Sequence, residues 1–269
     1  MSKIFIFFWV GICTSIAQGH DYWLTPNTYR PAADEPISVR LLVGDHFESE
    51  IERGLQKDKT VCLQIWDSQK NPLDLLQEGE EGQRPLVKLN LPRPGAYLLA
   101  LERDWAWIEM EAKKFHQYLE HEGLADAIRL RQASGEADQS ARERYRRYLK
   151  CLLRGSNVGG TAWKQKLGHR LEILPEADPS GVAPGAKLSV QVLFESRPLK
   201  NVQVSAMGRR EGKPVTVHEA RTDADGRLAL PLDHAGEWIV RLVHLRRCPD
   251  PEIADWESFW AAMTFDVAD

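Results

Sequence analysis

The chain has 269 residues, a formal net charge of −4 and 43% hydrophobic residues. Its mean hydropathy of −0.41 predicts a soluble globular protein, long enough for one large domain or two of ordinary size. The mildly negative charge argues against a nucleic-acid partner, because proteins that bind nucleic acids usually carry a basic surface.

Residues 1–19 have the pattern of a secretory signal peptide. A lysine near the start precedes an apolar run over 4–16, and this run is shorter than the ~20 residues that a membrane-spanning helix needs. Ala17 and Gly19 are the small residues that signal peptidase requires before its cleavage site. We therefore expect an exported, periplasmic protein whose mature chain begins at His20.

Residues 20–108 predict an N-terminal β-sandwich. Apolar and polar residues alternate over 37–43 and over 61–65, so that one face of each segment lies on a core. A Pro- and Gly-rich turn at 92–95 precedes another apolar run over 96–101. Short strands separated by such turns are typical of β-sandwiches.

The pattern over residues 109–160 is helical. Apolar residues recur at helical intervals within 115–130, among many charged residues. A second helix is predicted over 140–155, with Ser140 as its N-cap and Gly155 as its end. We therefore expect a helical insertion.

Residues 161–269 return to strand patterns. Alternation over 188–194 and the apolar run over 238–245 predict core strands. The segment 223–226, Asp-Ala-Asp-Gly, resembles half of an EF-hand loop but lacks the later ligands, so that a tight turn is the better interpretation. The predicted fold class is mainly β, with two immunoglobulin-like β-sandwich domains and a helical insertion between them.

Catalytic and thiolate sites have little support. The sequence contains neither the His-Glu-x-x-His motif of zinc proteases nor the Gly-x-Ser-x-Gly motif of hydrolases, and we predict that the protein is not an enzyme. Cys62, Cys151 and Cys248 lack Cys-x-x-Cys spacing, and their pairing stays open. His116 and Glu120 lie four residues apart on a predicted helix, where a solvated face is the simpler interpretation.

His20 and His244 are the best candidates for metal ligands. At a mature N terminus, the amine and ring Nδ1 of His20 can chelate one ion together, because a terminal amine has a pKa of only ~7.7–8. His244 ends the predicted strand over 238–244, where a hydrogen-bonded histidine at the rim of the core is an equally good interpretation. Asp21 is either a further ligand or a cap.

Four stretches of the chain resemble one bacterial family of exported proteins. The stretches are HDYWLTPNTYRPAADEPISVRLLVGDHF, KKFHQYLEHEGL, TDADGRLALPLDHAGEWIVRLVH and DWESFWAAMTF. The family is a domain of unknown function described as a periplasmic component of cobalt/nickel transport. The resemblance covers nearly the whole predicted mature chain, in order.

The resemblance implies a periplasmic binding protein that captures a divalent transition metal ion and delivers it to a membrane uptake system. Nickel or cobalt is the implied ion, and copper or zinc is the alternative because imidazole suits all four. His20, His244 and Asp255 lie in the matching motifs. With Asp21, they form the predicted set of metal ligands.

Two other functions are consistent with the sequence. The nine tryptophans suit an extracellular adhesion or glycan-binding β-sandwich module, with Trp105, Trp107, Trp256 and Trp260 as candidate platforms. Most such residues belong to a core, and this function requires an exposed row of aromatic side chains. A copper enzyme that uses the same N-terminal chelate requires an open coordination position on a flat surface.

Overall fold

The computed structural model describes residues 19–32, 34–91, 95–155 and 160–269. The predicted signal peptide, apart from Gly19, and most of the predicted turn at 92–95 lie outside these residues. The strands in the first half are β1 Asp21–Pro26, β2 Pro36–Asp45, β3 Glu48–Arg53, β4 Thr60–Trp66, β5 Pro72–Asp74, β6 Val87–Asn90, β7 Gly95–Met110 and β8 Ala141–Gly155.

The second half of the chain continues this β architecture. Its strands are β9 Leu171–Pro175, β10 Lys187–Phe194, β11 Arg197–Pro198, β12 Gln203–Arg210, β13 Lys213–Arg221, β14 Arg227–Pro231, β15 Gly236–Arg247 and β16 Trp256–Val267. The helices are α1 Ala112–His121 and α2 Ala125–Ala133, with short 3-10 helices at Lys57–Lys59, Ala162–Lys164 and Pro179–Gly181. The chain is therefore mainly β, as the sequence predicts.

The strands form three β-sandwich-like layers. The middle layer is an eight-stranded sheet in the order β13-β12-β15-β16-β8-β7-β4-β5. The sheet of β1, β2, β3 and β6 packs on one face and encloses a core with Trp23, Leu41 and Leu99. The sheet of β9, β10, β11 and β14 packs on the other face and encloses a core with Val190 and Trp238.

The second predicted helix, over 140–155, is wrong, because this segment forms β8. Tyr148 and Leu152 face one core, whereas Leu149 and Leu153 face the other. A strand that is buried on both faces has apolar residues at successive positions, so its sequence loses the alternation that marks a strand. The apolar residues at 145, 149 and 152 consequently imitate a helical period.

The predicted helix within 115–130 corresponds to α1 and α2. Phe115, Tyr118 and Leu119 of α1 are buried against Trp256 and Trp260 of β16. Both described helices are too short and polar to cross a membrane. They form a third core at the end of the middle sheet where β15 and β16 meet the 250–255 turn.

Strands from both predicted sandwiches meet in the middle sheet. β4, β5 and β7 come from residues 20–108, and β12, β13, β15 and β16 come from residues 161–269. They are joined by the parallel pairing of β8 with β16. The division into domains at residues 108 and 160 stays a prediction.

The alternating segments and the predicted turn are confirmed. Residues 37–43, 61–65, 188–194 and 238–245 all lie within strands. The carboxylate of Asp223 accepts hydrogen bonds from the backbone N–H groups two and four residues later, at 2.9 and 2.8 Å. This is a turn held by its own aspartate, as the composition indicates.

A buried ion pair links the middle sheet to β9. Lys150 of β8 and Glu172 of β9 are 4% and 1% exposed, and Nζ donates to the carboxylate at 2.7 Å. The same ammonium donates to the carbonyl oxygen of Ile173 at 3.2 Å. Glu172 also accepts backbone N–H bonds from Leu167 and Gly168. The carboxylate thus fixes the loop before β9 as well as the lysine.

We expect Lys150→Met to lower the free energy of unfolding by about 3 kcal/mol or more, because it leaves a buried carboxylate without its cation. Urea unfolding measures the change. Lys187→Met, at an exposed lysine on β10, is the matched control and should change stability by less than about 0.5 kcal/mol. Equal effects of the two substitutions would contradict the structural role of Lys150.

Candidate metal centre

The hairpin of β2 and β3 contains a β-bulge. Val43 lies opposite Ile51. The next pair is Gly44 with Ser49, so that Glu50 is an additional residue on β3. A bulge of this kind redirects the side chain of the additional residue. Gly44 allows the close approach of the two strands, because a Cβ atom there would lie 2.0 Å from a carbonyl oxygen of β3.

His46 and Phe47 form the turn of this hairpin in left-handed backbone conformations, with φ of 52° and 63°. Such a conformation costs a non-glycine residue about 1 kcal/mol or more. The Phe47 ring is completely buried and lies edge-on to Trp23 with centroids 5.6 Å apart. The guanidinium of Arg209 lies 4.4 Å from the same ring. Burial of the ring offsets the strain and fixes the hairpin in place.

His20 lies beside this hairpin. Asp21 pairs with Gly44, so the residue before β1 is placed next to Asp45. Nε2 of His20 lies 3.8 Å from Oδ2 of Asp45 and 3.4 Å from Oε2 of Glu50. The ligand atoms of His20, Asp45 and Glu50 all lie within 4.8 Å of one another, and within the described part of the chain this is the one such group of three.

The spacing of these three side chains fits a metal ion. Bonds of ~2.0–2.2 Å from an ion to nitrogen and oxygen separate neighbouring ligand atoms by about 3 to 3.5 Å. The observed 3.4 and 3.8 Å are close to this separation and longer than the ~2.7–2.9 Å of a charge-assisted hydrogen bond. The side chains of His20 and Asp45 are 29% and 26% exposed, so that an ion can enter from solvent.

The ring nitrogen that faces the carboxylates differs from the one that the sequence prediction uses. A chelate of the terminal amine with the His20 ring requires Nδ1, whereas Asp45 and Glu50 face Nε2. One ion at Nε2 is out of reach of the amine of the same residue. The structure therefore favours a site that does not require a free amine.

Asp21 belongs to a buried ion-pair network instead of the metal cluster. Its carboxylate lies 2.7 Å from Nη2 of Arg241, whose Nη1 lies 2.8 Å from Glu122 at the end of α1. Burial raises the pKa of Asp21 to about 6, and the nearby charge of Arg241 partly counteracts this effect. Successive residues of a strand point to opposite faces, so that Asp21 points inward where His20 points to solvent.

The structure does not bring His244 together with His20. The His244 ring packs on Phe194 with centroids 4.4 Å apart and on Phe259, which lies in the core under the β9–β10–β14 sheet. Arg241, three residues earlier on β15, points to the opposite face and contacts Asp21. The middle sheet consequently separates the two histidines. Burial, and then the charge of Arg246, lower the pKa of His244 to about 4.

Asp255 is likewise held by other partners. It lies before β16, and its carboxylate accepts from the backbone N–H and the guanidinium of Arg142, both at 2.8 Å. Burial raises the pKa of Asp255, but these hydrogen bonds outweigh burial and the net shift is downward. Of the four predicted ligands, His20 alone lies in the cluster of three.

The sequence did not indicate that Asp45 and Glu50 lie together with His20. Asp45 ends an alternating segment directly after a glycine. This pattern indicates the end of a strand but does not indicate a metal-binding role. Glu50 reaches the site through the bulge, and a bulge has no reliable signal in a single sequence. His46, which also follows the strand, lies beside His121 of α1 with ring centroids 5.6 Å apart.

A cavity of about 290 Å³ opens next to His20. Its charged lining consists of Arg53, Arg147 and Glu143, and its remaining lining is aromatic and apolar. The other lining residues are Gly19, His20, Tyr22, Val43, Ile51, Ile108, Met110, Tyr118, Tyr145 and Trp260. The cavity lies between the β1–β2–β3 sheet and the end of the middle sheet, and His20 belongs both to it and to the cluster of three.

Glu143 is a buried carboxyl group in the wall of this cavity. It is 2% exposed, and its Oε1 accepts from the hydroxyls of Ser258 and Tyr118. Its Oε2 has no hydrogen-bond partner within the described ranges. Burial raises the pKa of Glu143 to about 7, although these hydrogen bonds and the charge of Arg147 act against it and Glu122 acts with it.

The two layers over a shared middle sheet define a mainly β, sandwich-like protein. The chain belongs to the DUF4198 family, described as a domain of unknown function, whose model matches residues 17–246. The sequence resemblance is confirmed to this extent. Comparison with curated proteins gives no match.

Two solved structures are similar to the chain at low identity. One is a tetra-tandem repeat in the extending region of a large adhesion protein, with 12% identity, a TM-score of 0.21, and coverage of 91% of this chain and 49% of that chain. The other is the D0-D1 domain of Intimin, with 10% identity, a TM-score of 0.22, and coverage of 91% and 97%. The chain spans about half the length of the first structure, and at these TM-scores neither carries an argument.

The raised pKa of Glu143 predicts a pH-dependent stability. The folded state holds the Glu143 proton more tightly than the unfolded chain does. The contribution of this group to the free energy of unfolding is therefore complete below pH ~4.5 and is lost as the pH rises through about 7. The loss is on the order of 3 kcal/mol. Asp21, with a pKa raised to about 6, adds a further loss of stability over an overlapping pH range.

We expect Glu143→Gln to remove the contribution of Glu143 to this loss of stability. The free energy of unfolding should therefore fall less between pH 5 and pH 8 in the variant than in the wild type. Urea unfolding at both pH values measures the difference. Glu78→Gln, at an exposed glutamate, should leave the pH dependence as it is in the wild type. A Glu143→Gln profile parallel to that of the wild type would show that folding does not raise the pKa of this carboxyl.

Proposed function

We propose that the protein is an exported binding protein for a divalent transition metal ion, which it captures with His20, Asp45 and Glu50. The observation that carries the proposal is the convergence of one imidazole and two carboxylates from three separate chain positions at 3.4 and 3.8 Å. The presence of a third ligand atom within 4.8 Å distinguishes this group from an isolated His–carboxylate ion pair, and the spacing is compatible with a central ion.

The donor set supports a borderline metal ion. Imidazole suits nickel, copper, zinc and iron, and carboxylates favour harder ions, whereas copper(I) prefers thiolate and thioether ligands. The cluster holds no sulfur, and Cys62, Cys151 and Cys248 are free thiols elsewhere in the fold. Nickel or cobalt remains the proposed cargo from the family resemblance.

Delivery to a membrane uptake system is part of the same proposal. Three protein donors leave coordination positions open, and the group lies at the surface, with the Glu50 side chain 55% exposed. An ion in such a site exchanges with solvent or with a partner more readily than one in a closed structural site. A binding protein that hands its ion on needs this accessibility.

The adhesion or glycan-binding alternative has one observation in its favour, the exposed ring of Trp107 at 58%. Trp256 and Trp260 are buried at 1% and 5%, and Trp105 is half-buried with the guanidinium of Arg144 4.3 Å from its ring. An aromatic platform for sugars needs several exposed rings side by side. The four candidate tryptophans do not form one.

We expect His20→Ala, Asp45→Asn and Glu50→Gln each to weaken the binding of Ni²⁺ and Co²⁺ at least tenfold, because each removes one of three protein ligands. Isothermal titration calorimetry of a protein that begins at residue 20 measures the affinity. One additional N-terminal residue should leave the affinity within about threefold, since the amine is not required at Nε2.

Three substitutions serve as controls for this experiment. His116 and Glu120 form another His–carboxylate pair, on α1, with Nε2 and Oε1 3.4 Å apart, so His116→Ala tests whether any such pair binds the ion. His244→Ala and Asp255→Asn test the two predicted ligands that lie elsewhere. We expect wild-type affinity in all three. An equal loss in His20→Ala and His116→Ala would refute the site.

A further inference from the structure

The cavity next to His20 has a cationic side. Arg53 of β3 and Arg147 of β8 both line it, and the Nε atom of each has no hydrogen-bond partner in the part of the chain that the structure describes. Arg147 is only 7% exposed. Its guanidinium lies 4.0 Å from the Tyr22 ring and 4.5 Å from the Tyr145 ring, which hold it in position. Two guanidinium groups in one cavity wall, one of them held by aromatic rings, suit the binding of a carboxylate.

The cavity also has one carboxyl group in its wall, that of Glu143. Its Oε2 atom is buried and has no hydrogen-bond partner within residues 19–32, 34–91, 95–155 and 160–269. A buried acceptor of this kind is costly unless a donor satisfies it. An amino group of a bound molecule would be such a donor.

The remaining wall determines the size and shape of an occupant. Ile51, Ile108 and Met110 give it an apolar part, next to the aromatic rings. About 290 Å³ corresponds to roughly ten water molecules in liquid volume. A molecule of about that many non-hydrogen atoms fits, which is the size of a single amino acid.

We propose that this cavity binds a small α-amino carboxylate, whose carboxylate lies against Arg53 and Arg147 and whose amino group faces Glu143. Because His20 lines the cavity and also belongs to the cluster of three, the bound molecule can supply the ligands that the protein leaves open. This second part rests on the proposed function, and the protein would then hold its ion as a complex with the amino acid.

The first experiment tests the cavity without metal. L-Histidine, histamine and imidazole-4-acetate are titrated by calorimetry into protein that begins at residue 20 and has been treated with EDTA. Histamine lacks the carboxylate and imidazole-4-acetate lacks the amino group. We expect L-histidine to bind at least tenfold more tightly than either analogue. Equal affinity for all three, or no binding of L-histidine, would overturn the proposal.

Substitutions assign the two ends of the ligand. Arg53→Gln should reduce the preference for L-histidine over histamine to less than threefold, and Glu143→Gln should do so for the preference over imidazole-4-acetate. Arg40→Gln, at an exposed arginine on β2, is the matched control and should keep both preferences. Loss of both preferences in each variant would indicate a general structural effect and contradict the assignment.

The second experiment tests the link to the metal. We expect L-histidine to change the visible absorption spectrum of the Co²⁺-loaded protein while cobalt stays with the protein during gel filtration. Asp45→Asn, in the cluster of three but not among the residues that line the cavity, should abolish this ternary complex but retain L-histidine binding without metal. If wild-type protein binds L-histidine without metal but its cobalt spectrum does not respond, the coordination part is wrong and the cavity stands. If His20→Ala leaves the metal affinity unchanged, the proposed function is wrong, whatever the result for the cavity.

Discussion

The parallel pairing of β8 with β16 is the interaction on which the whole arrangement depends. Residues 143–151 lie in register with residues 256–264, and this one pair joins β13-β12-β15-β16 to β8-β7-β4-β5. Without it, the middle layer would be two separate four-stranded sheets. With it, each core draws residues from both halves, and Thr264 of β16 donates to the carbonyl oxygen of Leu24 in β1 at 2.7 Å.

The same pairing explains which parts of the fold could be predicted. Segments with one solvated face, such as residues 37–43, alternate clearly and were assigned correctly. β8 lies between β7 and β16 in the middle sheet and contributes to the core on each face. Its buried residues 148–153 give a nearly continuous apolar run, which does not distinguish a strand from a helix. Whether such a segment forms a strand or a helix depends on pairing with strands that are distant in the sequence. A single sequence contains no local signal for that pairing. The β1–β2 pairing, by contrast, follows from neighbouring segments.

Of the three residues in the cluster, only His20 could be predicted from the sequence, and the reason is physical. His20 is marked by its position in the chain, whereas Asp45 and Glu50 acquire their role from strand register and a bulge. Alternation along β1 sends Asp21 to the interior, and alternation along β15 sends His244 to the face that carries Phe259. Adjacency in sequence or membership of a matching motif gives no information about which face of a sheet a side chain occupies.

The turn at His46 and Phe47 has a consequence for the choice of ion. Because the buried Phe47 ring holds the hairpin closed, the backbone positions from which Asp45 and Glu50 extend are fixed relative to each other. Calcium is an abundant competitor for carboxylates outside cells, and it requires six to eight oxygen ligands at ~2.3–2.6 Å in a yielding site. A rigid hairpin with few oxygen ligands and one imidazole is a poor binding site for calcium. In the proposed metal site, a strained two-residue turn would therefore contribute to discrimination against this hard cation.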